Sequence, residues 1–243
     1  MAARDKAIQG REDISRFVVH LTRDDYKDFD FGSTADENFR NIIEERFIGA
    51  YSAHCINAQQ IPEDAEKSFY VACFSEVPLT QLHLLTRKME GRRTELKPYG
   101  IVFSREFILS KGAQPAIYIN SYGDNTDIRD AVDSLFDMAR RTGFKRGEIR
   151  KILPYLNAMH ERYDFTWERE WRIVGGIAFR PKDVVAVILP LEEELDLREE
   201  FIEKGIPVLS PGLTYEEIVN QFSLQQKATR TAWIRNKKRR SRK

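Results

Sequence analysis

Apolar and polar positions first alternate between residues 14 and 22, ISRFVVHLT, where Phe17, Val19 and Leu21 point one way and Arg16, Val18, His20 and Thr22 the other. A period of two predicts a strand with one face able to carry polar groups. Past a DDYKDFDFGS loop the period lengthens. Phe39, Ile42, Ile43 and Phe47 recur at helical spacing behind Thr34 and Glu37, a T-x-x-E capping box, so a helix is expected from about Ala35 to Phe47. SFYVACFS at 68–75 reads as a strand, and Pro78 opens a helix that Leu79, Leu82, Leu85 and Met89 carry to Gly91. YGIVFS at 99–104 and QPAIYI at 114–119 are expected to be neighbouring strands, separated by a segment that Gly112 terminates. From Ile128 to His160 the pattern is helical, divided into two helices by Gly143 and Gly147, with Pro154 kinking or shortening the second. A strand EREWRIVGG at 168–176 follows. After it come VVAVILP, a charged helix, IPVLS, and a T-x-x-E-capped helix from about Tyr215 to Gln226. The expected fold class is α/β or α+β, a mixed β-sheet flanked by helices, with residues 1–226 as one domain.

Composition narrows the setting. The chain has 243 residues, 32% charged and 42% hydrophobic, the balance of a soluble protein that buries one sizeable core. No apolar run approaches the roughly 18 residues that a membrane-spanning helix needs. The charged opening MAARDKAIQGREDISR lacks the apolar stretch of a secretory signal, and Cys55 and Cys73 are too few for a disulfide framework, so a cytoplasmic location is expected. With no CxxC or HxxxH pair, structural zinc is not expected. The net charge of +1 hides an asymmetry: residues 227–243 hold nine Lys or Arg and no acid, which leaves the preceding 226 residues at −8. A tail this basic is expected to be disordered until it meets a polyanion, with Lys237, Lys238, Arg239, Arg240 and Arg242 as the candidate contacts to RNA or DNA. The alternative is a tail folded back on its own acidic body.

Among residues suited to chemistry, Glu168 and Glu170 stand out, because a continuous strand puts both carboxylates on one face. Their repulsion would raise the pKa of one of them unless Arg172, on the same face, neutralises it; the structural alternative is an edge-strand salt-bridge ladder. His20, beside Arg16, suits a ribose hydroxyl or acid–base work, or a plain structural role. His83 lies in a leucine-rich stretch and reads as packing, and neither His54 nor His160 has a partner that spacing supplies. Cys73 and Ser75 share a strand face without an identifiable base. Rossmann, P-loop, zincin and hydrolase-elbow motifs are absent from the sequence.

The ordered set HLT at 20–22, NIIEERFIGA at 41–50, VACFSEVPL at 71–79, YGIVFSREFILSKGAQPAIYI at 99–119 and FTWEREWRIVGG at 165–176 resembles the AbiGi-like abortive-infection family of bacterial phage-defence proteins, over roughly residues 14–190. More remotely, the layout resembles the ADP-ribosyltransferase superfamily. In that superfamily a first strand offers His or Arg to NAD, a middle strand a small hydroxyl or an aromatic, and a late strand the catalytic Glu, often as E-x-E. The resemblance implies NAD as cofactor, Glu170 and Glu168 as catalytic candidates, and His20, Thr22, Ser75 and Tyr99 as NAD-binding candidates. Tyr51, Phe74 and Tyr99 are the candidate stackers for nicotinamide. The middle strand departs from the superfamily pattern by reading CFSE rather than S-T-S. Two functions follow as expectations: an NAD-dependent toxin of phage defence, or a non-catalytic module that binds a defence or antitoxin partner, or RNA through its tail. A nuclease ranks last, since no spaced acids assemble a magnesium site.

Overall fold

The computed structural model describes residues 14–27, 30–88, 95–120, 127–159, 165–192 and 195–226. In chain order the strands are β1 (Phe17–Leu21), β2 (Tyr26–Lys27), β3 (Asp30–Phe31), β4 (Phe47–Ile48), β5 (Val71–Ser75), β6 (Gly100–Ser104), β7 (Gln114–Pro115), β8 (Ile117–Ile119), β9 (Leu156–Ala158), β10 (Glu170–Val174), β11 (Ile177–Ala178), β12 (Val184–Ile188) and β13 (Val208–Leu209). The helices are α1 (Ala35–Glu45), α2 (Glu63–Glu66), α3 (Leu82–Leu85), α4 (Arg105–Ser110), α5 (Asp127–Thr142), α6 (Leu195–Glu203) and α7 over 215–226. The class is α+β, a mixed sheet with helices against it. Within the span read from sequence as one domain, the described residues pack as two compact units, one from those within 14–44, 77–104 and 180–226, the other from those within 45–76 and 105–179.

In the first unit the strands run β13-β12-β6-β1. β12 and β13 are parallel while β12–β6 and β6–β1 are antiparallel. β1 is covered on both faces near its start, since Val18 and Val19 are both buried, and its polar-capable face begins only at half-buried His20. Gly100, opposite Leu21, is required there: a Cβ on it would lie 2.3 Å from the His20 carbonyl oxygen. α1 turns Phe39 inward onto Tyr99 and Phe201, with ring centroids 6.2 and 5.8 Å away. Its box is met from one side, where the Thr34 amide donates to Glu37 Oε2 at 2.9 Å while the Thr34 hydroxyl turns to Asp36. Before α7 the box closes both ways, with the Thr214 amide donating to Glu217 Oε2 and the Glu217 amide to Thr214 Oγ1.

In the second unit β10 lies between β5 and β7, antiparallel to both. β8 and β9 pair in parallel, and β4 pairs with β11. The core gathers Phe69, Val132, Phe136, Phe144, Leu153 and Leu156, with Phe144 edge-on to Phe69 at 5.9 Å.

Three expectations are corrected. YGIVFS and QPAIYI are not neighbours: β6 pairs with β1 and β12, whereas 114–119 splits at Ala116 into β7, on β10, and β8, on β9. The Ala116 amide donates to the Glu170 carbonyl and turns the chain between the two ladders. Behind α5 there is no second helix; the apolar positions at 149–156 sit on two 3₁₀ turns, Ile149–Lys151 and Leu153–Tyr155, before β9. Pro154 has no amide to continue a helix, and the tighter turns still bury Leu153. Finally, the late strand starts at Glu170, not Glu168. The segment after Pro78 is a 3₁₀ turn, Leu79–Gln81, followed by the short α3; Met89 and Gly91 lie outside the described residues.

Candidate functional site

The site is built on the β5–β10 ladder of the second unit. Its register sets Ser75 opposite Glu170 and Cys73 opposite Arg172, so these four side chains share one face, while Phe74 and Trp171 take the other. Arg172 is 1% exposed and forks onto Glu170, with Nε to Oε1 and Nη2 to Oε2 both at 2.9 Å. Its Nη1 donates to the Pro154 carbonyl at 2.9 Å, which the 3₁₀ turn carries to that point. Tyr118 on β8 donates its hydroxyl to Glu170 Oε2 at 3.0 Å, and the Cys73 thiol also donates to this carboxylate.

Burial alone would push the Glu170 pKa up. The Arg172 charge and fork, with the Cys73 and Tyr118 hydrogen bonds, outweigh burial and hold Glu170 below the ordinary carboxylate value. The neutralisation by Arg172 anticipated from spacing is therefore realised, though on a strand flanked by β5 and β7 and not on a sheet edge. Tyr118 moves upward through burial and the Glu170 charge, so it keeps its proton and remains a donor. Burial pushes the Cys55 thiol up to about 11. The result is a fixed carboxylate whose ionisation is secured and whose charge Arg172 balances.

Glu168 lies outside the strand that sets that face, though its charge still reaches Tyr118. It closes the 3₁₀ turn Thr166–Glu168, and Arg169 follows at φ 44°, ψ 59°, a left-handed residue that breaks the period of two before the strand begins. The turn is fastened by the Glu76 amide, which donates to the Glu168 carbonyl at 3.0 Å.

Glu76 was not singled out by spacing. It is 5% exposed and accepts the Trp171 indole N–H on Oε2 at 2.9 Å and Arg105 Nη1 on Oε1 at 3.4 Å; Arg169 Nη1 lies 3.8 Å from Oε1. Its one sequence signal was an acid directly following an apolar strand.

Of the other candidates, Ser75 is buried, and His20, Thr22 and Tyr99 belong to the first unit. Thr22 uses its hydroxyl to donate to the carbonyls of Ala35 and Tyr99, at 2.6 and 3.1 Å, where it fastens the end of β1. Tyr99 packs on Phe39. Phe74 is 1% exposed and so has no face for a ligand, whereas Tyr51 is 78% exposed. His54 meets Ser52 at 2.8 Å, a neighbour two residues away. His160 and the tail residues Lys237, Lys238, Arg239, Arg240 and Arg242 lie outside the described residues. Among the described residues no group of three His, Cys, Asp or Glu is placed to hold a metal, and no helix is long and apolar enough to cross a membrane.

In comparisons with known proteins, no family model, curated protein or solved structure matches the chain.

Proposed function

We propose that the chain is a phage-defence toxin of the abortive-infection type, and that Glu170 serves an ADP-ribosyltransferase-like cleavage of NAD. The observation that carries this reading is the register that sets Ser75 opposite a Glu170 which stays ionised although largely buried. Cleavage of the bond between nicotinamide and ribose sends the bonding pair out with nicotinamide and leaves positive charge on the anomeric carbon and ring oxygen. A carboxylate already fixed by Arg172 and Tyr118 stabilises that charge more than the neutral sugar, without reorganising during the reaction. An acceptor nucleophile on protein or nucleic acid then takes the ADP-ribose and loses its proton.

A second reading is favoured by Arg172. Its guanidinium is buried and donates to both Glu170 oxygens and to Pro154, as in a purely structural ion pair of a non-catalytic module that binds a defence partner or RNA.

The test is calorimetry with NAD and nicotinamide release by the wild-type chain, alone and in phage-infected cells, followed by Glu170→Gln. We expect NAD binding, and a fall in turnover on the order of 10²-fold in the variant. Because Glu170→Gln also deprives Arg172 of its counter-charge, a lowered melting temperature follows under either reading. Absence of NAD binding and nicotinamide release by the wild type would leave the structural reading.

A further inference from the structure

The second unit also carries a basic groove that the NAD reading does not use. Residues 140–151, RRTGFKRGEIRK, hold six basic residues and one acid in a chain whose total charge is +1. α5 ends at Thr142 because Gly143 takes φ 86°, and Gly147 takes φ 83°. Between these turns Phe144 goes into the core while Lys145 and Arg146 stay exposed. The groove, of about 680 Å³, lies between this loop and residues 60–65, which lead into and form α2, and is lined by Gln60, Asp64, Arg140, Arg141, Lys145 and Arg146 among others.

The side chains fall into two groups. Arg140 is tethered to Asp137 and Gln60, and Lys145 to Asp64, at 2.6, 2.8 and 2.7 Å. Lys151 is likewise tethered to Glu148 at 2.7 Å, whereas among the described residues Arg141 and Arg146, both exposed, make no ion pair. Two arginines at a helix C-terminus are ordinary complements to the helix dipole. That explanation covers Arg140 and Arg141, and Asp64 and Glu148 account for Lys145 and Lys151, but neither accounts for Arg146.

We infer that this groove binds the phosphate backbone of a nucleic acid, with Arg141 and Arg146 as its principal contacts. Planar guanidinium forks match paired phosphate oxygens, and in sequence the basic run continues past the groove to Arg150 and Lys151, the latter paired with Glu148. An acidic protein is the competing occupant, and the polyglutamate arm of the test addresses it. The chain's own tail carries the same charge as the groove and is excluded as its occupant.

The test is fluorescence anisotropy of the full-length chain with a labelled single-stranded RNA of about 20 nucleotides, between roughly 50 and 200 mM salt. Arg141→Glu with Arg146→Glu should weaken binding at least about tenfold and lower the log–log salt slope by about 1.4, or 0.7 per lost phosphate contact. The same loss should appear when Lys237, Lys238, Arg239 and Arg240 are first replaced by Gln, which separates groove from tail. Arg141→Gln with Arg146→Gln should act in the same direction more weakly, with an unchanged melting curve. Unchanged affinity in the groove variants, or a polyglutamate peptide bound as tightly as RNA, would overturn the assignment.

Discussion

Glu170 and Glu76 are both drawn out of solvent around the β5–β10 ladder, Glu170 met by one cation and two neutral donors and Glu76 by two cations and one, yet their counter-charges come from different places in the chain. Glu170 takes its counter-charge from Arg172, two residues on along the same strand. Glu76 takes its contacts from Arg105, Arg169 and Trp171, which lie 29, 93 and 95 positions away. The burial of the cations differs too. Arg172 is 1% exposed and cannot rehydrate in place, whereas the side chains of Arg105 and Arg169 are 19% and 38% exposed. A local pair can thus bury its cation fully, because the strand itself sets its geometry. A pair assembled from distant segments keeps one end in water.

The sealed pair should be the costlier to break. Arg172→Met leaves the Glu170 carboxylate buried without a counter-charge, and a loss of about 3–5 kcal/mol is expected, roughly 10 °C in melting temperature. Adding Glu170→Gln should recover a large part of it, since no buried charge then remains unpaired. The pH response gives the sign. In the wild type Glu170 titrates below its unfolded value of about 4.3, so its contribution is complete above that pH and is lost as pH falls through the lower folded value. In Arg172→Met burial, the largest influence, is opposed only by the Cys73 and Tyr118 hydrogen bonds and raises the folded value, so acidifying from neutrality should restore part of the lost stability. Denaturant melts across that range check this. A variant that only loses stability on acidification would show that the fork with Arg172 does not govern Glu170.

This contrast also explains what could be read in advance. The Glu170–Arg172 relation was legible because a period of two is a local rule, and so were α1, β1, β6 and β12, each set by its own pattern of apolar positions. Glu168 was misplaced because a left-handed Arg169 carries no composition signal; Gly or Asn at that position would have announced the break. β9 and its pairing with β8 escaped notice because parallel pairing across the whole of α5 is a tertiary fact, and the apolar spacing at 149–156 fits a helix as well as the turns that formed. Glu76 was hidden for the same reason, as every group that holds its carboxylate is distant in sequence.

Glu76→Gln tests whether the assembled pair is weaker. The substitution keeps an acceptor for the Trp171 N–H but removes the charge that draws in Arg105 and Arg169. Because both guanidinium groups can turn to water, a loss of about 1–2 kcal/mol is expected, below that of Arg172→Met. Thermal melts of the two single variants under one set of conditions make the comparison. If Glu76→Gln proves the more damaging, Glu76 is the central carboxylate of the ladder and Arg105 its essential partner.

The smallest effect concerns the residue that separates the two carboxylates. Arg169 holds a left-handed conformation that costs a non-glycine residue about 1 kcal/mol, and its ion pair with Glu76 is long and partly exposed. Arg169→Gly removes the strain together with the charge, and should raise stability by about 0.5 kcal/mol, because Glu76 retains Arg105 and Trp171 and the turn retains the Glu76 amide bond to Glu168. Arg169→Ala removes the same charge but keeps the strain, and should lower stability by about 0.5 kcal/mol. The gap of about 1 kcal/mol between the two variants isolates the backbone contribution. Equal losses in both would mean that the guanidinium, and not the left-handed turn, is what Arg169 supplies, and would draw Glu76 closer to Glu170 as a carboxylate that depends on a single cation.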